Sequence, residues 1–235
     1  MKALIMAAGK GTRMRPLTET IPKVLIPINN KPFLYYVIEN LRKAGITELG
    51  IIAGYMKNKI IKFLEENNIN ATIIEQTEQK GTGHAIAQAK TFCGDSNFIT
   101  LGGDNLWSAN DFKLFCKDDE FNYIGYIESS TPEKYGVLIF DKENNLIEIK
   151  EKPKEFIGNN INTGLYKFTP KIFSELDTIK QSDRGEYELS DAIDSLAKKG
   201  KFKVIKTQDY WLDLGCLEDI PKVSLFLKGL LNKSK

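Results

Sequence analysis

The chain has 235 residues, enough to bury a sizeable core and suited to one α/β domain rather than two. Hydrophobic residues at 42% and charged residues at 27% are ordinary for a soluble globular protein, and a net charge of +2 argues against general nucleic-acid or membrane-surface binding. Cys93, Cys116 and Cys216 are few, odd in number and without metal-ligand spacing, which points to free thiols in a reducing cytoplasm; no secretory pattern is visible, and no apolar run approaches the ~20 residues that span a bilayer.

The first element is an apolar run, Ala3 to Ala8, which reads as a buried strand of a parallel sheet. It breaks into Gly9-Lys10-Gly11-Thr12-Arg13, where glycines and small neighbours let the backbone bend and aim amide N–H groups at anionic oxygens. Arg13, Arg15 and Lys23 follow closely, so positive charge converges on one loop suited to phosphate or polyphosphate. A Walker A loop is set aside because Gly9-Lys10 is followed by glycine. A dinucleotide fingerprint is set aside because the next strand ends in Gly54 and Tyr55, with no carboxylate.

After Pro32, the residues Leu34, Val37, Ile38 and Leu41 predict a helix over Phe33 to Ala44, stopped by Gly45. A strand follows near Glu48 to Ala53, then a helix from about Lys57 to Asn67 with Ile60, Ile61 and Leu64 facing inward. A third strand, Ala71 to Glu75, leads to a helix opening near Thr82 with Thr82 as its N-cap, and Phe98 to Leu101 is the fourth strand. This alternation specifies a Rossmann-like α/β fold, a mostly parallel sheet with helices on both faces. Past the third strand, the Gln76 amide suits the edge of a base, and Gly81 removes a side chain so that a planar ring can approach. His84, the single histidine, reads as a partly solvated helix residue rather than a catalytic base. Past the fourth strand, Asp104 follows Gly102-Gly103, a placement that suits a hard divalent cation better than core packing.

In the second half, a short helix is expected from Asp111 to Cys116 and a strand from Tyr123 to Ser129. Tyr135 to Phe140 and Leu146 to Lys150 form a hairpin around Asp141 to Asn145, running into Glu151-Lys152-Pro153. Asn160 to Tyr166 leads an apolar strand into Phe168, and Ser190 with Asp191 starts a helix carrying Ala192, Ile193, Leu196 and Ala197. Phe202 to Ile205 is an edge strand, followed by Trp211-Leu212-Asp213-Leu214-Gly215. Leu217 to Leu231 is an amphipathic helix expected to pack on the domain or on a neighbouring subunit rather than on a membrane. With no repeats and no low-complexity linker, no domain boundary is placed.

Taken whole, GKGTRMRPLT followed by PKVLIP closely resembles the signature of the sugar-1-phosphate nucleotidylyltransferases. The likeness is to the glucose-1-phosphate thymidylyl- and uridylyltransferases, and to the nucleotidyltransferase half of N-acetylglucosamine-1-phosphate uridylyltransferase; it runs from Met1 to about Leu217. It implies the nucleotide-diphospho-sugar transferase fold in a single domain over 1–235. The nucleotide-binding part would be about 1–110, the sugar-binding part with its antiparallel hairpin about 111–220, and the C-terminal amphipathic helix 217–231.

The resemblance also implies the chemistry: transfer of a nucleotidyl group from UTP or dTTP to a sugar 1-phosphate, with glucose-1-phosphate preferred and Mg²⁺ as cofactor. Ala8, Gly9, Gly11, Thr12, Gln76, Gly81 and Thr82 would bind the nucleotide, and Asp104 and Asp213 the metal. Arg13, Lys23 and Lys152 would supply the catalytic positive charge. Gly136, Glu151, Asn162 and Thr163 would hold the sugar, with Glu186 as a further candidate contact. An asparagine usually stands at the Asp213 position in N-acetylglucosamine-1-phosphate uridylyltransferases, so the aspartate favours the glucose type. The partners implied are a nucleoside triphosphate and a sugar 1-phosphate, with neither nucleic acid nor membrane, and a homo-oligomer is usual for similar proteins. The alternatives are an N-acetylglucosamine-1-phosphate uridylyltransferase and a noncatalytic nucleotide-sugar-binding regulator, with a cytidylyltransferase for a non-sugar phosphate behind them.

Overall fold

The computed structural model describes residues 1–233; the end of the domain assigned over 1–235 therefore lies outside the described residues. Strand β1 (Lys2–Ala7) opens the chain, followed through three 3₁₀ turns by the short strands β2 (Pro27–Ile28) and β3 (Lys31–Pro32) and by α1 (Phe33–Lys43). Next come β4 (Glu48–Ala53), α2 (Lys57–Glu66), β5 (Thr72–Glu75), α3 (Thr82–Ala87), α4 (Lys90–Cys93) and β6 (Phe98–Gly102). The second half adds β7 (Asn105–Trp107), α5 (Ala109–Phe115), β8 (Asn122–Glu128), the hairpin β9 (Gly136–Phe140) and β10 (Leu146–Glu151), and the long β11 (Asn160–Phe168). It closes with α6 (Lys171–Leu176), α7 (Leu189–Lys198), β12 (Phe202–Lys206), β13 (Trp211–Asp213) and α8 (Asp219–Lys233).

The sheet is mixed. Strands β5, β4, β1 and β6 lie side by side and all pair in parallel, so they are covered on both faces. Within β1 the alternation is literal: Leu4 enters one hydrophobic cluster, while Ala3, Ile5 and Ala7 enter the other. On α1 the four residues at helical spacing, Leu34, Val37, Ile38 and Leu41, are all fully buried. On α2 the inward positions are Ile60, Phe63 and Leu64; Ile61 stays half exposed, because Phe63 takes the face expected of it. The remaining strands join through β11, which pairs antiparallel with β6 and β9 on one edge and with β8 on the other. Strand β12 pairs in parallel with β8, and its other side meets the turn between β9 and β10, where the Val204 N–H donates to the Asn144 carbonyl at 2.9 Å.

The chain leaves β1 outward to β4 and β5, then returns to β6 on the other side of β1. Such a reversal opens a crevice at the carboxyl ends of the two central strands, where ligands of open α/β sheets sit. Helix α8 packs back on the domain through Val223 and Leu227, with Ser224 and Asn29 exchanging hydrogen bonds at 2.6 and 2.8 Å. Among the described residues, no helix is long and apolar enough to cross a membrane.

Candidate functional site

The crevice is a cleft of about 600 Å³, and its walls bring together residues from both halves of the chain. Of the residues expected there, Ala8, Gly9, Lys23, Gln76, Gly81, Thr82, Asp104, Glu151 and Asn162 line it. Gly11, Thr12, Arg13, Lys152, Gly136, Thr163 and Asp213 are not part of its wall.

The first loop is shaped by its own packing. Gly11 is left-handed at φ +61°, and a side chain there would press on Lys23 and Thr18 at 3.0 Å, so its absence seats Lys23. Thr12 and Arg13 lie exposed on a 3₁₀ turn that buried Met14 anchors. Gly9 has no protein atom where a side chain would go, while the Ala8 carbonyl is held by the Gln79 amide at 2.7 Å. Lys23 reaches across the cleft floor, its Nζ 2.6 Å from Asp104 Oδ2.

Asp213 reaches this pair through a ladder of three residues. Strands β7 and β13 pair antiparallel, setting Asp213 opposite Asn105, and the Leu214 N–H donates to the Asp104 carbonyl at 2.9 Å. Trp211 Nε1 donates to Asn105 Oδ1 at 2.8 Å, and the Asn105 amide in turn donates to Asp104 Oδ1 at 3.0 Å. The turn before β13 is held by the buried Asp111 carboxylate, which accepts from the backbone N–H groups of Gln208 and Tyr210 at 2.6 and 3.3 Å. Burial, and then the neighbouring Asp104 charge, push the Asp213 carboxyl up to about 6, with Lys23 and Arg13 pulling the other way. Two carboxylates held this close form a donor set that fits a hard divalent cation. Among the described residues no cluster of three ligating side chains exists, so water or ligand oxygens would complete the shell.

On the base side, two expectations change. The N-cap of α3 is Gly81 at φ +95°, not Thr82, whose hydroxyl instead lies 3.4 Å from the Leu189 N–H. At Gly81 a side chain would sit 2.7 Å from the Tyr187 carbonyl, so the protein's own packing already requires the glycine. That carbonyl accepts from the Gly83 N–H at 2.9 Å, so the glycines let the 186–187 segment close against α3. Helix α7 starts at Leu189 with Glu188 as its N-cap, two residues ahead of the expected cap Ser190.

On the far wall, Gly136 leaves room for a carboxylate: a side chain there would lie 2.9 Å from Glu151 Oε1. Lys152 is exposed, in a left-handed conformation at φ 44° fixed by its N–H donating to the Tyr135 carbonyl at 3.0 Å. Asn162 lines the cleft, but it donates to Tyr166 Oη at 2.8 Å and accepts from the Gly164 N–H at 2.7 Å. Thr163 departs from expectation: it is buried, and its hydroxyl donates to the Gly125 carbonyl at 3.1 Å, so its side chain serves the sheet. Sequence reasoning passed over Gln79, Asn105 and Glu188, and gave Glu186 only secondary weight. Adjacency to Asp104 could have flagged Asn105, whereas Gln79 and Glu188 carry no local signal.

The nucleotidyl transferase family model matches residues 2–229. A bifunctional protein GlmU from Methanocaldococcus jannaschii is 40% identical over 233 residues, covering 99% of this chain and 55% of that protein. A bifunctional sugar-1-phosphate nucleotidylyltransferase/acetyltransferase from Sulfurisphaera tokodaii is 43% identical over 218 residues, covering 92% and 52% respectively. The chain therefore spans about half the length of the curated relatives it matches. The crystal structure of a UDP-glucose pyrophosphorylase complexed with UDP-glucose superposes with a TM-score of 0.86 at 26% identity, covering 97% of this chain and 98% of that one. The fold, the loop after β1 and this match over nearly the full length make the chain a member of the nucleotidyl transferase family.

Proposed function

We propose that the protein transfers a nucleotidyl group from UTP or dTTP to a sugar 1-phosphate, glucose-1-phosphate before others, releasing pyrophosphate. The observation that carries this reading is the convergence of Lys23, Asp104 and Asp213 on one side of a cleft whose other walls hold Gln76 and Glu151. In the reaction, an oxygen of the sugar phosphate forms a bond to the α-phosphorus. The bond from the α-phosphorus to the bridging oxygen breaks, and pyrophosphate departs with the electron pair. The attacking oxygen is already anionic at neutral pH, so no general base is needed, and the barrier lies in bringing two polyanions together.

The chain's own groups address that barrier. Lys23 is fixed by Asp104 beside the α-phosphoryl position, and Arg13 on the exposed turn meets the outer phosphates. Lys152 stands at the sugar end for the incoming phosphate, and Glu151 accepts from ring hydroxyls. Asp104 and Asp213 would hold Mg²⁺, which when bound neutralises charge developing on the phosphoryl oxygens. On this reading the chain works as one catalytic unit, about 1–110 serving the nucleotide and about 111–220 the sugar. Asp213 supports glucose-1-phosphate as the acceptor, and the names of the curated relatives support N-acetylglucosamine-1-phosphate as the second reading.

Pyrophosphate release with Mg²⁺ over a grid of five nucleoside triphosphates and the 1-phosphates of glucose, N-acetylglucosamine, galactose and mannose tests the proposal. A strong signal with UTP or dTTP and glucose-1-phosphate is expected. A signal confined to N-acetylglucosamine-1-phosphate would exchange the sugar. Silence across the grid with ligand binding intact would make the protein a nucleotide-sugar-binding regulator.

A further inference from the structure

His84 is absorbed by none of the chemistry above, yet it touches the cleft residue best suited to read a base. Gln76 is nearly buried, and its Nε2 lies 3.4 Å from the Gly81 carbonyl and 3.1 Å from His84 Nδ1. A carbonyl oxygen only accepts, so the NH₂ of the amide faces Gly81; turning the amide over would set two acceptors against each other. His84 Nδ1 then accepts the second N–H, which makes the ring the Nε2–H tautomer. Nε2 faces the exposed Gln88 amide nitrogen at 3.3 Å, and that nitrogen also lies 3.4 Å from the His84 carbonyl; the buried Gln76 amide is fixed, so it is the solvated Gln88 that turns its oxygen to the ring and gives up this long bond to water. Tyr187 stacks against the imidazole at 6.3 Å between centroids and 27° between planes, and its backbone is bonded to Lys80 and Gly83, so the ring is held from both sides.

With both amide hydrogens committed, Gln76 offers the cleft only Oε1, an acceptor. The complementary ligand group is an N–H donor. Uracil and thymine present one at their imide N3, whereas cytosine presents a bare nitrogen acceptor there. We propose that His84 is a positioning residue that fixes the Gln76 amide as a pure acceptor, and so sets a preference for imide-bearing pyrimidines over cytosine. The inference rests on the reading that the nucleobase binds at the Gln76 end of the cleft.

Calorimetric binding of UTP and of CTP to the full chain, in the wild type and in His84→Leu and His84→Asn, tests it. Leucine removes the acceptor. Asparagine returns an oxygen acceptor where Nδ1 stood. The wild type is expected to favour UTP, His84→Leu to narrow the UTP-to-CTP ratio by on the order of tenfold, and His84→Asn to restore most of it. Should His84→Leu unfold, His84→Ala reads the same ratio. A wild type that binds both nucleotides equally, a ratio indifferent to the loss of His84, or a loss that asparagine does not rescue would overturn the inference. Selective UTP binding governed by His84 without pyrophosphate release would sink the transfer reaction and uphold this inference; turnover with a ratio indifferent to His84 would do the reverse.

Discussion

Replacing Asp213 by asparagine should stabilise the metal-free protein. The Asp213 carboxyl is raised from 3.8 to about 6 by burial and by the Asp104 charge, so the folded state holds its proton more tightly than the unfolded chain does. The sign follows from linkage: below about pH 3.8 both states are protonated and there is no penalty. Between that point and about pH 6 the native state binds more protons, and stability falls as pH rises; above about pH 6 the penalty is complete. A shift of about two units at 1.36 kcal/mol per unit bounds the effect, giving roughly 1–3 kcal/mol for a carboxyl that keeps some solvent contact. Asparagine preserves the shape and removes the charge. Urea unfolding of wild type and Asp213→Asn in EDTA, from pH 4.5 to 8, should give curves that converge at the acid end. They should part as pH rises, with the variant ahead by roughly 1–3 kcal/mol at pH 7.5. Millimolar Mg²⁺ should stabilise the wild type more than the variant. Equal stabilities at pH 7.5, or a variant less stable there, would refute the electrostatic argument.

Three other outcomes follow from the same geometry. Lys23→Ala or Asp104→Ala should lower pyrophosphate release by roughly 10²–10³-fold with unchanged circular dichroism, since each removes fixed charge at the reacting centre; near-normal turnover in either would sink the assignment. Gly136→Ala would place a methyl group 2.9 Å from Glu151 Oε1, so the KM for the sugar phosphate should rise about tenfold while that for the nucleotide holds; equal changes in both would contradict the placement. Lys167→Met should cost roughly 2–4 kcal/mol in urea unfolding. The fully buried Lys167 ammonium donates to the Asp119 carboxylate and to the Asp119 and Phe121 carbonyls, all at 2.7–3.0 Å; methionine would strip the Phe121 carbonyl of this donor and the Asp119 carboxylate of its counter-charge, while Tyr123 and Asn97 still donate to Asp119, and a loss under 1 kcal/mol would show that water replaces the ammonium.

The parallel half of the sheet was legible because its strands are apolar on both faces and its helices carry clean stripes. Leu34, Val37, Ile38 and Leu41 needed no tertiary information to be placed inward. The hairpin of β9 and β10 was equally plain, since Asp141 to Asn145 interrupts two alternating runs. What escaped were elements defined by a partner rather than by their own residues. Strand β13 is three residues long, and only its pairing with β7, from the far half of the chain, makes it a strand. Helix starts at 81–82 and 188–189 slipped by one or two positions, because Gly81 and Glu188 hold cap positions on tertiary grounds that outweigh hydroxyl propensity. In the site, the charged residues were readable from the motif, and the three-residue ladder that gathers two of them was not. Thr163 shows the same limit: beside Asn162 in a strand it looks like a ligand contact, but the strand's alternation turns it into the sheet.

The pairing of β7 with β13 also fixes when the site comes into being. More than half of the 235-residue sequence follows Asp104, and until β13 docks this carboxylate has Lys23 and the adjacent Asn105 amide beside it but no second carboxylate from β13. A nascent chain can therefore collapse its parallel core and close the first loop while holding a single, neutralised carboxylate at the cleft floor. The doubly anionic centre arises late, by a contact of long sequence separation that forms slowly. On the proposed metal reading, a chain halted before Trp211 lacks the second carboxylate and should bind divalent metal more weakly than the 235-residue chain, which isothermal titration with Mg²⁺ would read.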